Sequence, residues 1–587
     1  MPSDVYFDKG GAVYNARASG YGATGDGTTD DSSAIQTVLD LFGTQQYGIL
    51  LLPPPPVAYL LNSSHAVPTH CVVYAEGAVI KNGRFTNLSS STDVEFIGGT
   101  YLSDSTKPTS LDSPINLSGN SQLVLGVRVR GKEWVSPVEL KPGSQKVRIV
   151  GYEFDAQLPV NSTQGSSETL VIQGSHHVAA GVVGDGIDDG IVFKASVSGS
   201  PTESNAVGIA SISKHSNVFS VGTEVVGTVR NVVATCGAGH QTAYGVLLKI
   251  GNSSGYENSA LEGFRASDIV VYDANGDRFN SLVKVAAWYS SQIRDVSISG
   301  GIARVRANPN AESQLVRLTA DGTGAVGGVL PVIDGVSISQ MRLRDLGGGA
   351  PAGGATPGSP VSFGVVCEEI AGGTVKNARF SDLVIDGCGY DGMLHSCPSN
   401  NEAVYDGLVI RNYGATSTDP RYGVHVAAGT VRARNWTIEP HSNASYLPIM
   451  VESGATLIGE EVTVPLGSFV SGQATTIYPL LRAPKGRRMW VMEVLVVATN
   501  AITNSSTNYL TFNVGKSLFT NFLTGSTQPG GMNLATAYQA ATIGAPYPTN
   551  ANSFFSGEQL LQLQVTPSGS SAPALNQFRA IVRYVLY

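Results

Sequence analysis

Charge is scarce in this chain. Charged residues make up 14 % of its 587 positions, against roughly 25 % in an ordinary soluble domain. Helix-favouring Lys and Glu are few, which argues against a fold built from solvated helices. The formal net charge is −8, and no basic stripe with interleaved aromatics occurs, so nucleic acid is not an expected partner. No apolar run is long enough to cross a bilayer, so membrane insertion is not expected. No charged-then-apolar leader opens the sequence, which predicts a chain not routed by the usual secretory signal. The five cysteines are scattered without a CxxC pair; they read as buried free thiols, not as a disulfide framework or a metal site. No P-loop, HExxH or EF-hand loop is present, so no cofactor and no metal is expected.

What the sequence has in plenty is turn and strand chemistry. There are 69 glycines, with Ser, Thr, Asn and Val also common, a mixture suited to many tight turns and short strands. A chain of this length exceeds one globular core, unless it extends along one axis as a solenoid. The composition is all-β.

The first informative stretch is Gly20-Tyr-Gly-Ala-Thr-Gly-Asp-Gly-Thr-Thr-Asp-Asp-Ser-Ser-Ala-Ile-Gln36. Its Gly, Asp and Thr predict a tight loop. Asp31 or Ser32 can then N-cap a short helix with Ala34, Ile35, Val38 and Leu39 on one face. A short apolar strand, Gly48-Ile-Leu-Leu-Leu52, follows and meets four prolines, Pro53 to Pro56. This is the pattern of a solenoid cap, which covers open strand edges.

From about residue 60 to 460 one kind of segment returns: Asp93-Val-Glu-Phe-Ile97, Lys146-Val-Arg-Ile-Val150, Arg230-Asn-Val-Val233, Asp268-Ile-Val-Val271, Asp295-Val-Ser-Ile298, Gly335-Val-Ser-Ile338, Gly407-Leu-Val-Ile410 and Asn435-Trp-Thr-Ile438. The spacing, mostly about 25 to 40 residues, lies in the range of solenoid repeats. Near Pro465 strand candidates lengthen, as in Arg488-Met-Trp-Val-Met-Glu-Val-Leu-Val-Val497, which predicts an antiparallel sandwich. The expected organisation is a cap segment at 1–58, a right-handed parallel β-helix at 59–464 and a C-terminal β-sandwich at 465–587.

The run Tyr21-Gly-Ala-Thr-Gly-Asp-Gly-Thr-Thr-Asp-Asp31 with Ala34-Ile-Gln36 resembles the entry motif of the pectate-lyase-like superfamily of right-handed β-helices. That superfamily holds lyases, hydrolases, epimerases and binding proteins, so the resemblance implies a fold more than a chemistry. Gly184-Asp-Gly-Ile-Asp-Asp-Gly-Ile-Val-Phe-Lys194 resembles the double-aspartate strand of polygalacturonase-type glycoside hydrolases. By that resemblance Glu168 takes the place of an upstream aspartate and His215 that of a downstream histidine. Lys249 matches the lysine of the family's Arg-x-Lys strand, while Leu247 stands where the arginine would be. Architecture and composition are also similar to bacteriophage tailspikes. That implies a homotrimer in the virion tail or baseplate, acting outside the cell on a bacterial surface polysaccharide.

Glycosidic cleavage needs two carboxyl groups about one bond. Coils stack at about 4.8 Å, so acids some twenty residues apart can face each other. Glu168 with Asp188 or Asp189 meets that condition, and Asp185 at the turn is a substitute for either. Adjacent strand residues point to opposite faces, so only one of Asp188 and Asp189 is expected outward unless the strand bends. His215, Glu224 and Lys249 are the expected sugar-binding residues. A rival site joins Glu368 and Glu369 with Asp386, Asp391 and His395. Two other functions stay open: a polysaccharide lyase with Lys249, His215 or a tyrosine as base, and a non-catalytic glycan-binding fibre.

Overall fold

A computed structural model describes residues 11–42, 47–87, 89–103, 113–131, 134, 136–157, 168–186, 188–222, 225–251, 255–273, 279–305, 314–345, 363–399, 401–413, 421–439, 447–471, 473–485, 487–502, 505–516, 521–527, 532, 534, 540–544, 553–556 and 559–586. The chain forms two compact units. The first comprises Met1–Ala378, Val384–Asn401 and Asn412–Thr418; the second comprises Arg379–Leu383, Glu402–Arg411 and Asp419–Tyr587.

The first unit is a parallel β-helix. The single α-helix among the described residues, Ser32–Leu41, buries Ile35, Val38 and Leu39. It lies against strand Ser64–Val67, and Gln36 Oε1 meets His65 Nδ1 at 3.3 Å. Asp31 holds the N-cap position without capping the helix. Its carboxylate turns back to accept from Thr24 N at 2.7 Å, Thr24 Oγ at 3.1 Å and Gly25 N at 3.2 Å, so its side chain closes the glycine loop. Asp26 likewise accepts from Thr28 and Thr29, and these bonds, the Thr29 hydroxyl first, hold its pKa well below the usual carboxylate range. The expected strand forms at Gly48–Leu51, between Ala12–Asn15 and Cys71–Tyr74.

Coils stack in register. The residue at the bend has positive φ in coil after coil, between two short strands at Gly98, Gly126 and Gly151 and within one long strand at Gly181, Ile209, Cys236, Asp268, Gly300 and Gln340. The flanking pairs fix this column, for example Ala180↔Gly208 and Val182↔Ala210, then Gly208↔Thr235 and Ala210↔Gly237. Most recurring segments read from sequence begin on such a left-handed residue: Asp93, Lys146, Asp268, Asp295, Gly335, Gly407 and Asn435. Strand follows within two residues, at Glu95–Ile97 and Arg148–Val150 for instance. The segment at Arg230 differs, because Asn231 at φ 53° separates strand Thr228–Arg230 from Val233–His240. Asn, Asp and Gly suit this conformation because they tolerate the left-handed region at least cost.

A separate parallel sheet closes each coil. In the first unit it includes Val138–Leu140, Leu170–Ile172, Asp189–Phe193, Asn217–Val221, Tyr244–Ile250, Ser281–Trp288, Gln314–Asp321, Phe363–Ile370 and Met393–Ser396. Its inward residues, among them Ile191, Phe219, Val246, Val283 and Val316, are fully buried. Four of the five free cysteines are buried as expected; Cys236 is exposed at the bend column.

The second unit holds short parallel strands, Glu402–Asp406, Thr430–Arg434 and Thr456–Ile458, and two antiparallel sheets. One pairs Glu460–Phe469, Leu575–Leu586 and Arg488–Val497; the other pairs Thr476–Arg482, Leu560–Ser568, Tyr509–Lys516 and Asn521–Ser526. Their apolar faces share one core with Val494, Val496, Phe512, Leu563, Phe578 and Val582.

Candidate functional site

The closing sheet positions the polar groups. Alternation sends Leu248, Val285 and Leu318 inward and Lys249, Lys284 and Arg317 outward. One outward row reads Glu139, Val171, Val192, Ser220, Leu247, Lys284, Arg317 and Val366 across successive coils. A second row, two residues on, contains Lys194, Gly222, Lys249, Ala286, Thr319 and Glu368. At about 4.8 Å per coil the face runs about 34 Å, the reach of an extended oligosaccharide.

Glu168 and Asp189 are brought into adjacent coils. Leu170 pairs with Ile191, each two residues past its acid, and Thr169 N donates to Asp189 O. Asp189 Oδ1 accepts from Ser216 Oγ at 2.9 Å and from Asn217 Nδ2. A Cβ at Gly222 would stand 3.8 Å from Asp189 Oδ2, so the missing side chain leaves a notch beside that oxygen. Glu168 is 7 % exposed; it pairs with the Lys194 ammonium and accepts from Ser136 Oγ at 2.7 Å. Burial raises its pKa, and the Lys194 charge is the main opposing influence.

Asp188 is half-buried at the turn, and its carbonyl accepts from Ser216 N at 2.7 Å. His215 is fully buried, with Nδ1 3.0 Å from the Asp188 carbonyl and Nε2 2.7 Å from Thr169 Oγ. The structure places this expected sugar-binding residue beneath the turn that carries both aspartates, which it braces. Asp185 is also displaced from the expected cluster. It ends strand Val178–Asp185 of the other sheet and pairs with Lys214 at 3.0 Å; burial leads the raising of its pKa. Glu224 lies outside the described residues.

Lys249 stands on the same face as Asp189, whose charge acts on it, and its ammonium is 5.7 Å from the centre of the Trp288 ring. Lys284 stands 5.7 Å over Tyr244. Burial, then Arg317 and Lys249, lower its pKa to about 8. Arg317 binds Glu368 Oε1 through Nε at 2.9 Å and Nη2 at 2.6 Å, and Thr319 Oγ donates to the same oxygen at 2.7 Å. Lys194, Lys284, Arg317 and Tyr244 were missed from sequence. The available signal was a single cation inside an otherwise apolar strand, as in Leu282-Val-Lys-Val285 and Leu315-Val-Arg-Leu318.

The rival cluster is dispersed. Glu368 belongs to the face just described, and Glu369 accepts from Val375 N and from the Ser399 amide and hydroxyl. Asp386 accepts from Asn412 Nδ2 in the other sheet, and Asp391 and His395 are buried. His395 instead joins Cys367 and Cys397, whose ligand atoms all lie within 4.8 Å of one another. That buried donor set is one short of the four that a closed zinc site uses, among the described residues. Hollows of about 440 Å³ beside Arg432, Glu461 and Arg583 and about 460 Å³ beside Asp30 and Gln36 lie elsewhere.

No protein-family model and no curated protein sequence matches the chain. Among solved structures, it is similar to the tailspike protein of E. coli bacteriophage HK620 in complex with a pentasaccharide. That match has 12 % identity and a TM-score of 0.44, covering 95 % of this chain and 90 % of the other. It is also similar to an exopolygalacturonase from Thermotoga maritima, at 13 % identity and a TM-score of 0.35, covering 76 % and 91 %. At these identities neither match assigns a residue or a substrate to this chain.

Proposed function

We propose that this protein is a tailspike-type depolymerase that hydrolyses glycosidic bonds of a bacterial surface polysaccharide. The observation that carries the reading is the placement of Glu168 and Asp189 in adjacent coils, beside a face that carries Lys249, Lys284 and the rings of Tyr244 and Trp288. In this reading Asp189 acts as base or nucleophile, with Ser216 and Asn217 fixing one oxygen so that the other meets the bond. Glu168, whose raised pKa favours the protonated form, donates to the leaving oxygen once substrate replaces one of its present partners. Asp188 stands next to Asp189 as the substitute carboxylate. Lys249 and the neighbouring aromatics hold the chain. By the resemblance to tailspikes alone, the proposal extends to a homotrimer carried on the virion tail.

The lyase reading has one observation in its favour: Lys249 and Lys284 both have lowered pKa values, burial being the first cause, as a proton-abstracting base requires. The test measures the size of purified capsular and O-antigen polysaccharides after incubation with wild type, D189N, D188N and E168Q. Hydrolysis predicts oligosaccharides without ultraviolet absorbance from an unsaturated uronic acid, and no cleavage by folded D189N. Absorbing products mean elimination instead. Unimpaired cleavage by all three variants removes this site, and binding without cleavage leaves a receptor fibre.

A further inference from the structure

The cations of the candidate face fall into two groups. Lys141 is matched by Glu139 at 2.6 Å, Lys194 by Glu168, and Arg317 by Glu368 at 2.6 Å. Lys249 and Lys284 are the exceptions: among the described residues neither has a carboxylate within ion-pair distance. They stand on neighbouring strands, since Leu247 pairs with Lys284 and Lys249 with Ala286. Each ammonium lies over a ring, Trp288 and Tyr244. Aromatic faces attract a cation without supplying a negative charge.

Half-burying two ammoniums side by side is unfavourable unless something offsets it. Both lysines are half-buried on the face. The nearest acids act on them only from beyond ion-pair distance, Asp189 on Lys249 and Glu368 on Lys284, and Glu368 is already paired with Arg317. An anion seated between the two ammoniums relieves both at once, while the flanking rings offer surfaces on which a sugar can stack. We infer that the middle of this face binds the anionic group of an acidic sugar, so that the polymer handled here is a charged polysaccharide with Lys249 and Lys284 as its specificity determinants. This rests on the reading of the face as the polysaccharide site. Lys284 extends it one coil beyond Lys249.

The test is binding of the full chain at low salt to polygalacturonate and hyaluronan (carboxylates), poly(ribitol phosphate) (phosphodiesters) and dextran (neutral). Affinity electrophoresis compares wild type with Lys249→Met, Lys284→Met and, as a control away from the face, Lys516→Met. Charged polymer is expected to bind and dextran not. Each of the two face variants should weaken binding about tenfold, the worth of one charge-assisted contact. Carboxyl reduction of the bound polymer should abolish binding if carboxylate is the recognised group; retention of the phosphodiester polymer alone assigns phosphate. Dextran binding equal to the charged polymers, unchanged affinity in both face variants, or binding of no charged polymer overturns the inference. An acidic polymer bound but not cut leaves it standing and removes the hydrolase. A neutral polymer cut does the reverse.

Discussion

Replacing Lys194 by Met isolates the electrostatics at the heart of the site. Glu168 is nearly buried and its carboxylate has two partners, the Lys194 ammonium and the Ser136 hydroxyl. Met keeps most of the volume and removes the charge, so an ionised Glu168 is left with one neutral donor. Removing one member of a buried pair costs about 3–5 kcal/mol while the other stays charged. Glu168 can escape by taking a proton, after which the deficit falls to about 1 kcal/mol, one lost hydrogen bond. Burial already raises its pKa, and Lys194 is the leading influence against that rise, so the variant's folded pKa goes higher still. A carboxyl raised in the folded state binds more protons there than unfolded, so stability falls as pH climbs from the unfolded value through the folded one. K194M should therefore melt close to wild type at pH 5 and well below it at pH 8. The double variant K194M/E168Q should regain most of the loss at pH 8. Melting temperatures at both pH values are the assay, because long solenoids need not unfold in two states. An equal deficit at pH 5 and pH 8, or no recovery with E168Q, would refute this account and leave only lost packing.

Ile209 has φ 55° in the bend column and is 68 % exposed, an unfavourable place for a β-branched residue. Ile209→Asn should stabilise by about 0.5–1 kcal/mol, and Gly181→Val, in the preceding coil of the same column, should destabilise by about 1–2 kcal/mol; equal melting shifts of one sign would contradict the strain argument. His65 and His177 are buried, and burial is the first cause lowering both pKa values to about 4. The unfolded chain therefore takes up protons first as pH falls below about 6.5, and stability should drop between there and pH 4, by up to about 3 kcal/mol per histidine. Melting curves of a His65→Gln/His177→Gln variant should be flatter over that window; an equally steep decline would place acid lability elsewhere.

Much of the fold was legible because it is written in short-range chemistry. The entry loop needs Asp26 and Asp31 to satisfy backbone amides within seven residues. Most recurring segments were visible because each opens on the Asp, Asn, Gly or Lys at a left-handed bend. All of them belong to the bent sheet, however, and the closing sheet that carries the candidate site lacks that punctuation. Glu168, Asp189 and Lys249 were still singled out as candidates through the resemblance and the repeat spacing. Lys194, Lys284 and Arg317 were not, since each looks like an ordinary interruption of an apolar run.

The sequence alone determined that the chain coils, where it bends and which strands alternate, since these follow from local backbone preference and a two-residue period. Only the tertiary structure decided which coil lies beside which side chain. Loop lengths differ from coil to coil, so the partner of Arg317 is 51 residues away and that of Lys194 is 26. Register also buried His215 beneath the double-aspartate turn and set Asp185 on another sheet. It gathered paired and unmatched cations on one face, because parallel stacking aligns residues by hydrogen-bonded rung and not by distance along the chain.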